Sequence, residues 1–402
     1  MSTILIFDQA EYPGGSIARA VDMAITMPNR NFIIVTYHPL NKLYGRPLTK
    51  NIKAIRLYSF YNFKKKFKHT RQLMKLVKNK ILYKIGLKLI ALIDWFNETS
   101  LSLQVAIKLL NKSIDLVQAN AGIHFLPYRV ALLKKSALIY YFRHIDDYRW
   151  ASRVMINRAS HYIFVGKNLM ARHRSIIEYP EHKCQVIYSP FNTQKRLDET
   201  EPTDIAFLDS LKENQNFIIL MAARICYDKG QEIAIEAIKK LNEKYPNITL
   251  ILAGDEDVSY AQKLRPKIKE FRLNNNVIFI GQRNDIPHLL KRVDLALQAP
   301  LCFEAIGGSL VEAMQLGTLT VSSDIGGTSE VIKQGKNGFL FPPGDSNKLA
   351  EIIENIIENR VDKDALRKAG KEHANRLWCP EKIHRAMSLV YSEAIEYRQK
   401  SN

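Results

Sequence analysis

Residues 295–330 read LALQAPLCFEAIGGSLVEAMQLGTLTVSSDIGGTSE, and this stretch organises the chain. A short apolar run at 295–297 leads to Glu304, and Glu312 follows eight positions later. Ile306, Gly307, Gly308 and Ser309 stand between them, a helix-like run covers 309–316, and a second apolar run at 319–322 precedes Gly326–Gly327. The pattern predicts a strand, a Gly-rich turn and a helix. Ser309 is read as the N-cap, with Glu312 three residues on completing a capping box. A helix N-terminus offers unpaired N–H groups and a positive dipole end, which suits phosphate. An ionised Glu only accepts hydrogen bonds, so a carboxylate at each end of such a turn suits sugar hydroxyls. The plainer alternative is that Glu312 caps its helix and Glu304 is a solvated loop charge.

Outward from this stretch the pattern repeats. Apolar runs at 217–224, 248–255, 276–282 and 295–300 alternate with helical segments at 231–244 and 260–271. Such alternation implies a parallel sheet covered on both faces. Arg224 and Lys229 follow the first of these runs and stand just before Gly230 and a helix. Two cations at a strand end are placed either to bind a diphosphate and stabilise its charge on departure, or as surface bases. The Asp255-Glu256-Asp257 triplet enters a helix, where acidic residues complement the dipole, and is read as structural.

The first half shows the same alternation. Residues 2–7 form an apolar opening run, then comes the Gly14–Gly15 pair and a helix-like run from Ser16. This is the first unit of a Rossmann-like fold, or simply a tight structural turn. Further runs at 32–37, 114–119, 137–142, 162–165 and 185–188 are predicted strands, with a helix at 127–134. His144, Asp146 and Asp147 follow one strand end, where open α/β sheets bind ligands, and His144 is a candidate partner for a substrate hydroxyl. The polar stretch 192–216 reads as the connection between domains.

The formal net charge of +19 over 402 residues is unevenly placed. Residues 1–200 hold 32 Lys and Arg against 12 Asp and Glu, whereas 201–402 hold 27 against 28. Between Asp22 and Asp94 there are 16 basic residues and no acidic one. Lys64, Lys65, Lys66, Lys68, Arg71 and Lys75 lead a segment in which Met74, Val77, Ile81, Ile85, Leu89 and Leu92 form a helical stripe. A basic, apolar helix of this kind suits an anionic membrane surface, at about 1 kcal/mol per basic residue near it. The alternative is ordinary domain helices with solvated Lys faces. Nucleic acid is not expected as a partner, because no recognition motif accompanies the charge. The four Cys are scattered, which favours neither a disulfide framework nor a structural metal and fits a reducing compartment. With no apolar run of about 18 residues and no leader-like start, a cytoplasmic protein, peripheral at the inner face of the membrane, is expected.

Taken in order, these motifs resemble the retaining GT-B glycosyltransferases of family 4, the group 1 glycosyl transferases. The resemblance is best over 217–345. It rests on Ala223-Arg224, Lys229-Gly230, Leu252 to Asp255, Phe279 to Gly281, the Glu304/Glu312 pair with Ala313-Met314, Gly326–Gly327, Glu330, Gly335 and Asn337 to Leu340. The first half matches more loosely, through Gly14–Gly15 and His144. Three departures stand out: Gly166 where Ser is common, Ala305 where Gly is frequent, and residues 186–192 near the hinge. The resemblance implies an α/β GT-B fold, with two Rossmann-like domains facing a central cleft. Residues 1–195 would bind acceptor and carry the membrane-facing segment, 196–378 would bind a nucleotide sugar, and 379–402 would form a helix crossing back to the first domain. It implies a hexosyltransferase that needs no metal or other cofactor and takes a UDP- or GDP-sugar as donor. Arg224 and Lys229 would bind the diphosphate, Glu312 the ribose, and Glu304 the donor sugar. Backbone groups of Ile306, Gly307, Gly308 and Ser309 would lie near sugar and phosphate. Gly14 and Gly15 would allow close approach, and His144 would contact the sugar. The composition adds a lipid-linked or cell-surface polysaccharide acceptor as the expected partner. The alternative is a non-catalytic GT-B-like protein that binds a membrane or partner; four retained residues with no purpose in binding alone, Arg224, Lys229, Glu304 and Glu312, argue against it.

Overall fold

Runs such as ALIYYF and ITLILA have no polar alternation, so each must bury both faces, and parallel strands between helix layers do that. The computed structural model describes residues 1–8, 15–37, 40, 48–57, 96, 99–120, 122–145 and 153–400. Lys64, Lys65, Lys66, Lys68, Arg71, Lys75, Gly14, Asp146 and Asp147 lie outside these. Two compact units form, one from Met1–Phe164, Arg174–Ile187 and His384–Asn402, the other from Val165–His173 and Tyr188–Ile383.

The first unit is built on seven parallel strands: β1 (Thr3–Phe7), β2 (Asn31–Thr36), β3 (Ile52–Arg56), β4 (Leu116–Ala119), β5 (Ala137–Phe142), β6 (His161–Phe164) and β7 (Cys184–Val186). Their order is β3-β2-β1-β4-β5-β6-β7. The chain winds outward through β2 and β3, then returns to the far side of β1, so the direction reverses between β1 and β4. All six residues of β5 are buried, and its aromatic rings stack on those of β6, Phe142 on Phe164 at 4.8 Å and Tyr140 on Tyr162 at 6.1 Å. The helix Pro380–Lys400 contributes its later residues to this unit. Its buried Tyr391 hydroxyl donates to Gln118 of β4 at 2.7 Å, and Gln118 donates in turn to Asn120, which donates to Asp8. A polar chain thus runs through the middle of the unit with each donor matched to an acceptor.

The second unit repeats the topology with six parallel strands: β8 (Phe217–Ala222), β9 (Ile248–Ala253), β10 (Val277–Gly281), β11 (Leu295–Gln298), β12 (Leu319–Ser323) and β13 (Phe339–Phe341). The order is β10-β9-β8-β11-β12-β13, so here the reversal falls between β8 and β11. Residues 192–216 are not a plain connector. They hold two helices, Thr193–Glu199 and Ala206–Glu213. Asn192 caps the first by accepting from the Lys195 N–H at 3.1 Å, and Leu197 and Leu208 anchor the otherwise polar segment in the unit. Among the described residues no helix is long and apolar enough to cross a membrane.

A cluster of Phe191, Leu310, Val311, Met314, Val331, Ile332, Ala374 and Trp378 packs under the helix Gly308–Leu316. Trp378 is fully buried there, with Tyr188 and His373 against its ring. Replacing it with Ala is expected to cost about 3–5 kcal/mol of stability, read as a lower urea midpoint. A midpoint within experimental error of the parent would contradict this packing role.

Candidate functional site

In open α/β sheets the crevice for ligands lies beyond the strand ends where winding direction reverses. In the second unit that place is set by the loops after β8 and β11. After β8 the backbone runs Ala223-Arg224-Ile225, with Ile225 N–H donating to the Asp255 carbonyl at 2.8 Å. A single turn, Tyr227–Lys229, follows, and Gly230 at φ +67° leads into the helix Gln231–Asn242. Gln231 is fully buried and donates through Nε2 to the Arg224 carbonyl at 2.9 Å, which fixes the backbone that carries the exposed Arg224 side chain.

The loop after β11 lies against this one. Leu301 N–H donates to the Asp228 carbonyl at 3.0 Å. A Cβ on Gly230 would overlap the Ala299 carbonyl oxygen, so only glycine lets the two loops approach this closely, and its left-handed backbone favours glycine as well. The contact places the Lys229 ammonium in an ion pair with the Glu304 carboxylate. Both are partly exposed, at 30% and 21% of their side chains, so the pair contributes at most about 1 kcal/mol to stability. It is chemistry held ready rather than a brace. Partial loss of hydration, and then the charge of Asp228, push the Cys302 thiol up.

The helix Gly308–Leu316 starts two residues earlier than an N-cap at Ser309 implies. Gly307 is the N-cap, and no side chain caps the helix. Ser309 therefore lies inside it, and its hydroxyl accepts from Gln298 Nε2 at 2.5 Å. The capping-box reading of Ser309 and Glu312 is corrected accordingly: the glycines continue the chain into helical geometry before Ser309 is reached. A Cβ on Gly307 would come within 2.5 Å of Gln298 Oε1, so the glycine makes room for the β11 side chain that holds Ser309. No side chain caps the first N–H groups of this helix, and uncapped N–H groups at a helix start suit an anion.

Glu312 is buried and its carboxylate is paired with Arg196 from the helix Thr193–Glu199. The sequence offered no signal for this partner, which stands 116 positions away. Only 17% of the Arg196 side chain is exposed and 7% of that of Glu312. Arg196→Ala would take the paired guanidinium away from a buried carboxylate and is expected to cost about 3 kcal/mol of stability, measured by denaturant unfolding. A loss under about 0.5 kcal/mol, the scale of a surface pair, would refute the burial argument.

Asp257 accepts from the Ser259 and Tyr260 N–H groups at 3.0 and 3.3 Å, and hydrogen bonds from Ser259 and Tyr260 hold its carboxyl below the usual range. Glu256 pairs with Arg265. Both acidic side chains serve the helix Val258–Glu270, as read.

Gly326–Gly327 packs against the Glu304 loop, with Gly327 N–H donating to the Glu304 carbonyl at 2.7 Å. Glu330, three residues later, accepts from the Lys167 and Asn168 N–H groups and from the Tyr188 hydroxyl. Of the remaining candidates, Gly15 opens the helix Gly15–Ile25 after β1, and His144 is exposed just beyond β5; both belong to the first unit. The second unit therefore brings Arg224, Lys229, Glu304, Ile306, Gly307, Gly308, Ser309 and Glu312 to one sheet end.

Residues 204–373 match the family model described as Glycosyl transferases group 1. Among curated proteins, a glycosyltransferase of Methanocaldococcus jannaschii, MJ1607, is 27% identical over 240 residues, covering 58% of this chain and 60% of that protein. The lipopolysaccharide core biosynthesis mannosyltransferase LpsB of Rhizobium meliloti is 23% identical over 207 residues, covering 50% of this chain and 58% of that protein. The chain thus spans 60% or less of the length of these curated relatives. Among solved structures, Anabaena HepE in complex with UDP and glucose superposes with a TM-score of 0.74 at 24% identity, over 98% of this chain and 100% of that one. A glycosyltransferase from Rickettsia africae gives 0.77 at 18% identity, over 98% of each. The resemblance to the group 1 glycosyl transferases is borne out over the matched residues, and the GT-B fold with two Rossmann-like domains is borne out over nearly the whole chain.

Proposed function

We propose, for a chain whose residues 204–373 match the glycosyl transferases group 1 family, that it is a retaining, family 4 type hexosyltransferase. It would move a sugar from a UDP- or GDP-sugar to a lipid-linked or cell-surface polysaccharide acceptor, working peripherally at the cytosolic membrane face. The observation that carries the reading is the Lys229–Glu304 pair beside an uncapped helix start, at the β8/β11 reversal. The Anabaena structure with UDP and glucose supports a nucleotide-sugar donor, and the lipopolysaccharide enzyme of Rhizobium supports an envelope acceptor.

In this reading Arg224, Lys229 and the first N–H groups of the helix Gly308–Leu316 hold the diphosphate. Positive charge there stabilises the leaving group as its bond to the sugar breaks. Glu304 accepts from donor-sugar hydroxyls while keeping Lys229 aimed at the phosphate. A carboxylate has about four acceptor positions, so Glu312 is able to pair with Arg196 and take a ribose hydroxyl together. No protein base is required, because the departing phosphate oxygen would take the acceptor proton on the same face of the sugar, which preserves configuration. Neither a metal nor another cofactor enters this scheme.

The test is a thermal-shift screen of the full chain against UDP-, GDP-, ADP- and CMP-sugars. One nucleotide class should raise Tm, the underlying stabilisation growing with the logarithm of ligand concentration to about 2.7 kcal/mol at 100 times Kd. If none does, the reading fails. For the membrane part, co-sedimentation with anionic liposomes should fall steeply with salt and with Lys64, Lys65, Lys66 and Lys68 changed to Glu. Binding that is indifferent to both would remove the membrane from the proposal.

A further inference from the structure

Glu304 sits on a loop with few internal hydrogen bonds, so something outside the loop must fix it. The immediate support is the Gly326–Gly327 turn. Gly327 N–H donates to the Glu304 carbonyl at 2.7 Å, and a Cβ on Gly326 would come within 2.9 Å of the Glu304 nitrogen. On Gly327 a Cβ would overlap the Ala305 carbonyl oxygen. Two backbones are therefore pressed flat together, and moving one moves the other.

What holds the glycine turn comes from a distant part of the chain. The helix Lys167–Arg174 belongs to the second unit by its N-terminal residues. Asn168 Nδ2 donates to the Gly326 carbonyl at 2.6 Å and to Ser329 Oγ at 3.1 Å. In the opposite direction, Glu330 accepts from the Lys167 N–H at 2.9 Å and the Asn168 N–H at 2.7 Å. Its carboxylate thus caps the helix, whose positive end favours it. Tyr188 donates its hydroxyl to the same carboxylate at 2.8 Å, and His373 contacts the Glu330 carbonyl at 3.0 Å. Only 8% of Glu330 is exposed. Gly166 lets the helix end approach: a Cβ there would lie 3.0 Å from Glu330 Oε1, 3.4 Å from Ile306 Cδ1 and 3.5 Å from the Ala305 carbonyl oxygen. A Ser at this position would crowd the clasp, which accounts for the glycine.

We propose that Asn168 and Glu330 are positioning residues for the donor site, forming a reciprocal clasp that fixes the Gly326–Gly327 turn and through it the Glu304 carboxylate. The inference rests on reading Glu304 as the residue that meets the donor sugar. Neither Asn168 nor Glu330 touches the donor in this scheme. Each acts through the backbone of another loop, so loss of the clasp should misplace Glu304 while leaving the cations after β8 where they are. Charge on the diphosphate would still be met, but the sugar would be held out of line, and misplacement on the scale of 1 Å is enough to slow a reaction severely.

Two measurements on the full chain decide the matter. Asn168→Ala removes the side-chain bonds to Gly326 and Ser329 and leaves the helix cap intact. In backbone hydrogen exchange it is expected to speed the Gly327 amide, which donates to the Glu304 carbonyl, at least about ten-fold, with β8 and β9 unchanged. With UDP-glucose as the probe donor, kcat should fall about ten-fold while Kd for bare UDP stays within about two-fold. Glu330→Gln, which keeps volume but presents an amide to two N–H donors, should show the same split. Unaltered exchange at Gly327 overturns the clasp, whatever the protein transfers. Faster exchange with undiminished turnover overturns its positioning role, as does a fall in UDP affinity matching the fall in kcat. Should the parent chain bind none of the UDP-, GDP-, ADP- and CMP-sugars, the donor reading fails separately, and exchange at Gly327 alone upholds or overturns the clasp.

Discussion

Glu304→Gln is expected to lower sugar-transfer turnover by about 100-fold or more while changing the affinity for the bare nucleotide by less than about three-fold. The substitution keeps the shape of the side chain and removes its charge. Glu304 pairs with Lys229 but is one-fifth exposed, so folding loses at most about 1 kcal/mol. The sugar loses more. In the proposed role an ionised carboxylate accepts from sugar hydroxyls through charge-assisted bonds with both oxygens, whereas an amide offers one neutral acceptor and a donor in place of the second. Lys229, released from its partner, remains available to phosphate, so UDP binding should hold or tighten. Turnover and isothermal calorimetry on the same preparation separate the two effects. Parallel losses of both would assign Glu304 to the nucleotide or to the fold and remove it from the sugar.

The second large effect is expected from Gly230→Ala. Gly230 stands at φ +67°, where an L-residue with a Cβ is disfavoured by about 1–2 kcal/mol. The larger cost is steric, since the added carbon would overlap the Ala299 carbonyl oxygen, a backbone atom that cannot rotate away. Relief requires the β8 and β11 loops to separate, which breaks the 3.0 Å bond from Leu301 to Asp228 and draws Lys229 away from Glu304. A total loss of about 3 kcal/mol or more is expected, with donor binding weakened at least about ten-fold. Denaturant unfolding and UDP titration test both. A variant with parental stability and affinity would show that the loops are not in register-bearing contact.

Much of this architecture is legible in the chain because its strands are buried on both faces. Runs like FIILMA and ITLILA admit few other readings once helical segments alternate with them. The strands that escape notice are those with weaker demands. β3 buries only Ile52 and Ile55 of its five residues, and β13 has three residues in all. The helices within 192–216 are concealed by composition, since Leu197 and Leu208 supply their buried anchors among polar neighbours. At the site, spacing brings out Glu304, Glu312, Arg224 and Lys229, because each follows a strand end. Arg196 meets Glu312, and Asn168 meets Gly326, across 116 and 158 positions, and no local period encodes a contact made by folding. The capping-box misreading has the same root: S-x-x-E spacing is correct, but Gly307 and Gly308 start the helix earlier than the pattern does.

The helix Pro380–Lys400 has a consequence for how the molecule is made. Its buried Tyr391 supplies the hydroxyl that satisfies Gln118 of β4, and Met387, Val390 and Ala394 are buried along with it. The first unit is therefore not a product of early synthesis alone. Residues 1–164 leave the ribosome long before the helix that closes their interior, and the whole second unit emerges in between. At about 5–20 residues per second, the wait lasts roughly ten seconds or more. During that interval the earlier-made sheet has an unfilled slot beside Gln118, a ready target for chaperones. A chain released before residue 384 would complete its second unit yet leave its first permanently open.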